Sequence, residues 1–253
     1  GAQCNLCVNQ CKIPLNNKGF CGLRTNVCGK LKNILGTKAV VEWYYDPLPT
    51  NCVADWCCPG GTGIGYPEYS YSKSGPECGY KNLAVFYGAC SFDCLFCQNW
   101  SYRVRAQNLS PSMAPEDLAR HVDKKTSCIC YFGGDPGPQM PHALKTSKIA
   151  LEQAHDEHRI LRICWETNGS MSRSMLKEAS ERSWESGGCI KFDMKSYNED
   201  LHIALSGITN KRTLENFEWL GELSTQRDTP PFLIASTLLI PGYIDPTEIT
   251  NIV

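Results

Sequence analysis

The stretch Leu83-Ala84-Val85-Phe86-Tyr87-Gly88-Ala89-Cys90-Ser91-Phe92-Asp93-Cys94-Leu95-Phe96-Cys97 decides how this chain reads. Its first six residues are an apolar, β-leaning run that ends at a glycine. Three cysteines follow at once, spaced Cys-x3-Cys-x2-Cys. Structural zinc sites usually take four protein ligands, and cubane iron–sulfur clusters usually take four thiolates. Three tightly spaced thiolates would hold three irons and leave the fourth open to a substrate. The alternative is a zinc site whose fourth ligand lies elsewhere in the chain.

Moving outward, the same unit recurs. Ser127 to Phe132, Ile160 to Trp165, Cys189 to Met194 and Phe232 to Ile240 are further apolar runs. Their weak alternation suits strands buried on both faces of a parallel sheet. Helical patterns separate them. One opens at Pro115-Glu116-Asp117, with proline and acid in the first turn. Others run from His142 to His158, from Met171 to Glu185 (closed by Gly187-Gly188), and from Asn198 to Ser206 (ending at Gly207). Leu214, Phe217 and Leu220 mark one more. Alternating strands and helices imply an α/β fold with right-handed crossovers, open or curled into a partial barrel. In such folds ligands bind at the C-terminal ends of the strands. A sixth strand is expected beyond Val253.

Composition narrows the function classes. Of 253 residues, 16 are cysteine, and 25 Lys plus Arg face 26 Asp plus Glu for a net charge of −1. That balance predicts no nucleic-acid partner. No run approaches the length of a membrane helix, so no membrane association is expected. No signal peptide starts at Gly1. The cysteines then read as a metal and redox inventory in a reducing, cytoplasmic setting rather than as a disulfide framework. They fall in groups: Cys4-x2-Cys7-x3-Cys11-x9-Cys21 in a cysteine-rich module over residues 1–35, a looser set in an irregular connector over 36–79, and the rest in a main domain over 80–253. Lone cysteines on apolar runs, such as Cys164 and Cys189, read as small buried residues. Gly60-Gly61-Thr62-Gly63-Ile64-Gly65 looks like a dinucleotide loop but lacks the strand and helix that such a loop needs, so it reads as a turn.

Four soft ligands at short spacing suit zinc, iron or an auxiliary iron–sulfur cluster. A structural role for Cys4, Cys7, Cys11 and Cys21 is the simplest reading, because so small a module cannot bury enough apolar surface without a metal. An auxiliary cluster for electron relay is the alternative. A zinc ribbon for nucleic acid fits less well, since the segment has few basic residues.

Cys-x3-Cys-x-aromatic-Cys after a first strand, with Phe96 in the aromatic slot, resembles the cluster motif of radical S-adenosylmethionine (radical SAM) enzymes. The likeness extends to proteins similar to the pyruvate formate-lyase activating enzyme. Gly133-Gly134-Asp135-Pro136 resembles that group's Gly-Gly-Glu-Pro, with aspartate for glutamate. Glu166-Thr167-Asn168-Gly169 resembles its Asp/Glu-Thr-Asn-Gly, and Asp193-Met194-Lys195 its Asp-x-Lys. Asn198, His202, Leu205, Gly207, Asn210 and Leu214 keep the spacing of its next helix and loop, and Pro241-Gly242 matches a later turn.

The resemblance implies a partial (β/α)6 barrel in which Cys90, Cys94 and Cys97 hold a [4Fe-4S] cluster. Its open iron would bind S-adenosylmethionine, with Phe96, Gly133, Gly134, Asp135, Pro136, Glu166, Thr167, Asn168, Asp193 and His202 around the cofactor. Asp193 and Lys195 would be catalytic. It implies cleavage to a 5′-deoxyadenosyl radical, a protein or peptide substrate, and an electron donor such as ferredoxin or flavodoxin. The first alternative is a radical SAM C-methyltransferase using cobalamin, of the kind that methylates a glutamine of methyl-coenzyme M reductase. The usual Asp-x-His-x-x-Gly is absent, however: Asp156-Glu157-His158-Arg159-Ile160-Leu161 puts leucine where glycine belongs. A non-catalytic iron–sulfur or zinc protein is the second alternative.

Overall fold

A computed structural model describes residues 1–253. Its centre is a seven-stranded sheet of β1 (Ala39–Pro47), β2 (Lys81–Tyr87), β3 (Ser112–Met113), β4 (Thr126–Gly133), β5 (Arg162–Thr167), β6 (Ile190–Asp193) and β7 (Leu233–Ser236). The spatial order is β7-β6-β5-β4-β2-β1-β3. Five strands, β2, β4, β5, β6 and β7, run parallel in chain order, and β1 and β3 add an antiparallel edge. Each crossover adds its strand on the same side, so the sheet winds one way and keeps its helices on one face.

Those helices are α1 (Tyr102–Asn108), α2 (Pro115–Ala119), α3 (Met140–Asp156), α4 (Arg173–Ser186), α5 (Glu199–Ser206), α6 (Lys211–Ser224) and α7 (Pro246–Ile252). Leu83, Val85, Tyr87, Ile129, Tyr131, Ile163, Trp165, Ile190 and Phe192 pack against Leu144, Ala150, Leu176, Ala179 and Leu220 in one core. Burying side chains of this size is worth roughly 1.5–3 kcal/mol each, which makes this outer layer the main source of cohesion. The odd–even alternation of a strand then sends Asn82, Ala84, Cys128, Cys130, Arg162, Cys164, Glu166, Lys191 and Asp193 to the opposite, inner face. That alternation is hard to see in the sequence because cysteine scores as apolar.

The segment 36–79 differs from the irregular connector expected of it. Its first part is the nine-residue β1, paired antiparallel to β2 from Val41↔Tyr87 to Pro47↔Lys81. Only the first three residues of β1 are buried, so the run lacks the uniform apolarity of the parallel strands. The remainder folds back over the inner face of the sheet. Pro59–Thr62 makes one helical turn, and Cys52, Ala54, Cys57 and Cys58 pack on Cys130, Cys164, Cys189 and Ile234. Glu77 enters this plug to meet Arg162, with both side chains at most 2% exposed.

The cysteine-rich module is two short antiparallel pairs, Ala2–Gln3 with Lys12–Ile13 and Arg24–Val27 with Lys30–Asn33. It docks on the loops of the main domain. Val8 N donates to Ser170 O at 2.9 Å and Ser172 N to Leu6 O at 2.8 Å. Asn9 Nδ2 donates to Ser91 O at 2.7 Å, and Arg24 Nη2 to Pro138 O at 2.9 Å. No helix is long and apolar enough to cross a membrane.

Candidate active site

The loop after β2 carries Cys90, Cys94 and Cys97 to the rim of the sheet, and its shape is set by neighbours on both sides. Asp93 N and Leu95 N donate to Ser206 O and Leu205 O, the last carbonyls of α5, at 3.1 and 2.9 Å. Helix C-termini leave such carbonyls without partners, so each element satisfies the other. Tyr102, at the start of α1, donates its hydroxyl to Phe92 O at 3.0 Å, and Arg103 pairs with Asp93.

All three cysteines line one cavity of about 330 Å³ together with Phe96, Gly133, Gly134, Glu166, Asn168, Asp193 and Lys195. Of the residues expected around a cofactor, Phe96, Gly133, Gly134, Glu166, Asn168 and Asp193 are therefore brought together, with Lys195, expected to be catalytic, beside them. Cys90 is buried, and its thiol is pushed well above the usual range, chiefly by desolvation. Asn168 Nδ2 approaches Cys90 Sγ at 3.7 Å and donates to Ser91 Oγ at 2.8 Å. Cys94 Sγ lies 3.4 Å from Ser206 Oγ. Lys195 Nζ sits 3.0 Å from Asp193 Oδ2. Burial works against that ammonium, yet the charges of Asp193 and Cys94 outweigh it and hold the pKa above its ordinary value.

Asp135, Pro136, Thr167 and His202 are placed behind the cavity wall instead. Asp135 is 2% exposed and spends its carboxylate inside the protein. Its Oδ1 accepts from Thr167 Oγ1 at 2.6 Å and from Asn168 N at 3.0 Å, and its Oδ2 accepts from Gly137 N at 2.9 Å. It ties the turn after β4 to the loop after β5. Pro136 leads into the 3-10 turn Gly137–Gln139. His202 packs its ring edge-on against Phe92 and bonds Ile208 O through Nδ1 at 2.6 Å, so it shapes the junction between α5 and the cysteine loop.

Gly134 explains why a side chain is excluded at this turn. A Cβ there would come within 2.3 Å of Ala89 O and 2.9 Å of Tyr102 Cβ. Neither the backbone nor the buried tyrosine can give way cheaply. Gly134→Ala is expected to cost about 1–3 kcal/mol through overpacking and to shift the turn out of the cavity, read as a lower denaturation midpoint.

Burial pushes the Asp135 carboxyl up to about 6, with its three hydrogen bonds working the other way. Because the folded value is raised, its contribution is complete below the unfolded value near 3.8 and fades as pH rises through about 6. The difference in stability between the native protein and Asp135→Asn should therefore move by on the order of 3 kcal/mol between pH 4 and pH 7.5. Denaturant titrations at both pH values check this, and a pH-independent difference would refute it.

The sequence reading did not find the inner-face cluster. Among Cys, His, Asp and Glu side chains, one set draws its donor atoms within 4.8 Å of one another, namely Cys52, Cys130 and Glu166. The cavity cysteines and the N-terminal four are more widely spaced. Within the module, Cys7 is pushed up to about 11, mainly by burial, and Cys4 and Cys21 lie close enough to add to that shift. A donor set of three thiols on one cavity wall, with the half-buried Lys195 ammonium and two carboxylates beside it, fits a thiolate-held iron cluster and a zwitterionic ligand.

Comparison with known proteins bears on the family of the chain. The family model described as the Radical SAM superfamily matches residues 84–246. An uncharacterized protein of Methanocaldococcus jannaschii is 24% identical over 247 residues, covering 96% of this chain and 62% of that protein. A second protein of the same organism, named as a glycyl-radical enzyme activating enzyme, is 25% identical over 173 residues, covering 68% of this chain and 61% of its own length. The chain thus spans about three fifths of each of these relatives. The solved structure of anSMEcpe with bound AdoMet overlaps 64% of this chain and 54% of its own, at 14% identity and a TM-score of 0.39. With its motifs at the strand ends of a largely parallel α/β sheet and the family match running from β2 into α7, the chain belongs to the radical SAM superfamily.

Proposed function

We propose that this chain is the catalytic core of an enzyme that cleaves S-adenosylmethionine reductively and abstracts hydrogen from a protein or peptide substrate. The observation that carries this is the convergence of Cys90, Cys94, Cys97, Asn168, Asp193 and Lys195 on one cavity. Cys90, Cys94 and Cys97 would hold the [4Fe-4S] cluster, which supplies the electron that opens the sulfonium to a 5′-deoxyadenosyl radical. The chain's own groups do the rest. Lys195 offers a cation to a ligand carboxylate, and Asp193 and Glu166 offer anions to an ammonium, which suits the two ends of an amino acid. Asn168 fixes Cys90 and Ser91 by hydrogen bonds. The glycine pair leaves backbone in place of side chain at the cavity wall, and the apolar faces of Phe92, Phe96 and Val53 exclude water from it. An external donor such as ferredoxin or flavodoxin would supply the electron.

Anaerobic reconstitution with iron and sulfide, followed by S-adenosylmethionine and dithionite, should yield 5′-deoxyadenosine by chromatography. An intact cluster with no 5′-deoxyadenosine would overturn the reading. A glycyl-radical signal in a protein substrate would favour activation, whereas labelled methyl in protein would favour methyl transfer.

A further inference from the structure

Three lysine or arginine side chains are more than nine-tenths buried in this protein, those of Arg24, Arg162 and Lys191. Burying a charge is costly unless an opposite charge faces it. Arg162 has Glu77, and Lys191 has Glu166, with Nζ 3.0 Å from Oε1. Arg24 has no such carboxylate. Its Nη2 donates to Pro138 O at 2.9 Å, and its Nη1 has no hydrogen-bond partner. The surrounding sequence supplies no anion either, because no Asp or Glu precedes Glu42.

Arg24 lines a cavity of about 280 Å³ where the cysteine-rich module meets the main domain. Lys38, just before β1, and Pro141, His142 and Lys145 of α3 line it too, and no acidic residue does. Pro141 and His142 lie in the first turn of α3, a helix of 17 residues, where unpartnered amides and the helix dipole favour negative charge. No side chain caps that end. Gln139, at the cap position, instead accepts from Val40 N at 2.7 Å and donates to Val40 O at 3.0 Å. His142 adds no charge of its own. Its ring nitrogens meet the Tyr87 hydroxyl and Met113 O, and burial lowers its pKa to about 4.

We propose that this cavity binds a phosphate-class dianion, with Arg24, Lys38 and the N-terminus of α3 facing it. Lys145 is already paired with Glu116. Arg24 and Lys38 therefore leave two positive charges uncompensated, which matches the roughly −1.5 to −2 of a phosphoryl group at neutral pH. Because Arg24 is covered, water screens its charge little. Small-molecule sites usually run from about 300 to 1,000 Å³. The volume here falls at the bottom of that range, so it suits inorganic phosphate or a small phosphomonoester rather than a nucleotide. Arg24 belongs to the module and α3 to the main domain, so the anion bridges the two. The site does not depend on cleavage of S-adenosylmethionine.

The test is equilibrium dialysis of the full chain against ³²P-labelled inorganic phosphate. Native protein should hold one equivalent with a dissociation constant below about 1 mM. Lys38→Glu should weaken binding by at least about tenfold, since it replaces attraction with repulsion at the cavity. Lys30→Glu makes the same change of charge on the module outside the cavity lining, and should stay within about twofold. Both lysines are exposed, so neither substitution disturbs the core. Displacement of the label by O-phosphoserine at lower concentration than by unlabelled phosphate assigns the site to a phosphomonoester, and the reverse order assigns it to the free ion. No retained phosphate on native protein, or equal weakening by the two substitutions, would overturn the site.

Discussion

Cys94→Ala is expected to fold, to retain less than about a tenth of the iron and sulfide bound at the β2 loop, and to make no 5′-deoxyadenosine. The scaffold should survive because it does not rest on the thiol. The loop is held by Asp93 N and Leu95 N on the end of α5, by the Tyr102 hydroxyl on Phe92 O, and by Asn9 on Ser91 O. The alanine removes only the sulfur and its weak contact to Ser206 Oγ, a change worth about 1 kcal/mol to folding. Iron and sulfide analysis with product chromatography checks both halves. Retained cleavage would refute the role of this loop, whereas an unfolded protein would refute the account of what holds it.

Glu77→Gln should have the largest effect on stability of any single polar change. Glu77 meets Arg162 in a two-bond fork, at 2.8 and 2.7 Å. Its Oε1 also accepts from Ser70 Oγ and Tyr71 N, and the guanidinium donates further to Tyr69 O and Ser127 Oγ. Breaking a buried pair while leaving its partner charged costs about 3–5 kcal/mol. By contrast, the exposed Arg120–Asp117 pair, 71% and 49% exposed, should matter by less than about 1 kcal/mol. Desolvation works against the Glu77 carboxylate, but Arg162 overrides it and holds the pKa below the ordinary value. The folded value is depressed, so this stability is present above the unfolded pKa and is lost as pH falls through the folded one. Urea denaturation at pH 7.5 and in acid tests both points. A native-like midpoint for Glu77→Gln would remove the plug from its structural role.

The five parallel strands and the motifs at their ends were legible because each is local: an apolar run, then a glycine or proline turn, then a few polar residues. β7 is shorter than its apolar run suggests, ending at Ser236. β1 escaped because its second half is only partly buried and its apolar run is broken by Glu42, Asp46 and Pro47. The plug escaped for a different reason. Glu77 and Arg162 are 85 positions apart, and Cys52, Cys130, Glu166 and Lys191 come from four separate elements, so no spacing along the chain joins them. The role of Asp135 was half legible. Its position in the turn was visible, but not that Thr167, Asn168 and Gly137 would saturate it.

The docking of residues 6–9 on the main domain has a consequence for how the cavity opens. The loops after β2 and β5 are far apart along the chain, yet Asn9 grips Ser91 while Leu6 and Val8 bond Ser172 and Ser170. Arg24 adds the turn after β4 through Pro138. Segments joined through one small body fluctuate together rather than singly. Amide protons around Ser91, Pro138 and Ser170 should therefore exchange with a shared opening free energy set by detachment of the first 35 residues. Access to the cavity from this side then becomes a property of a distant hairpin pair, not of the cysteine loop alone.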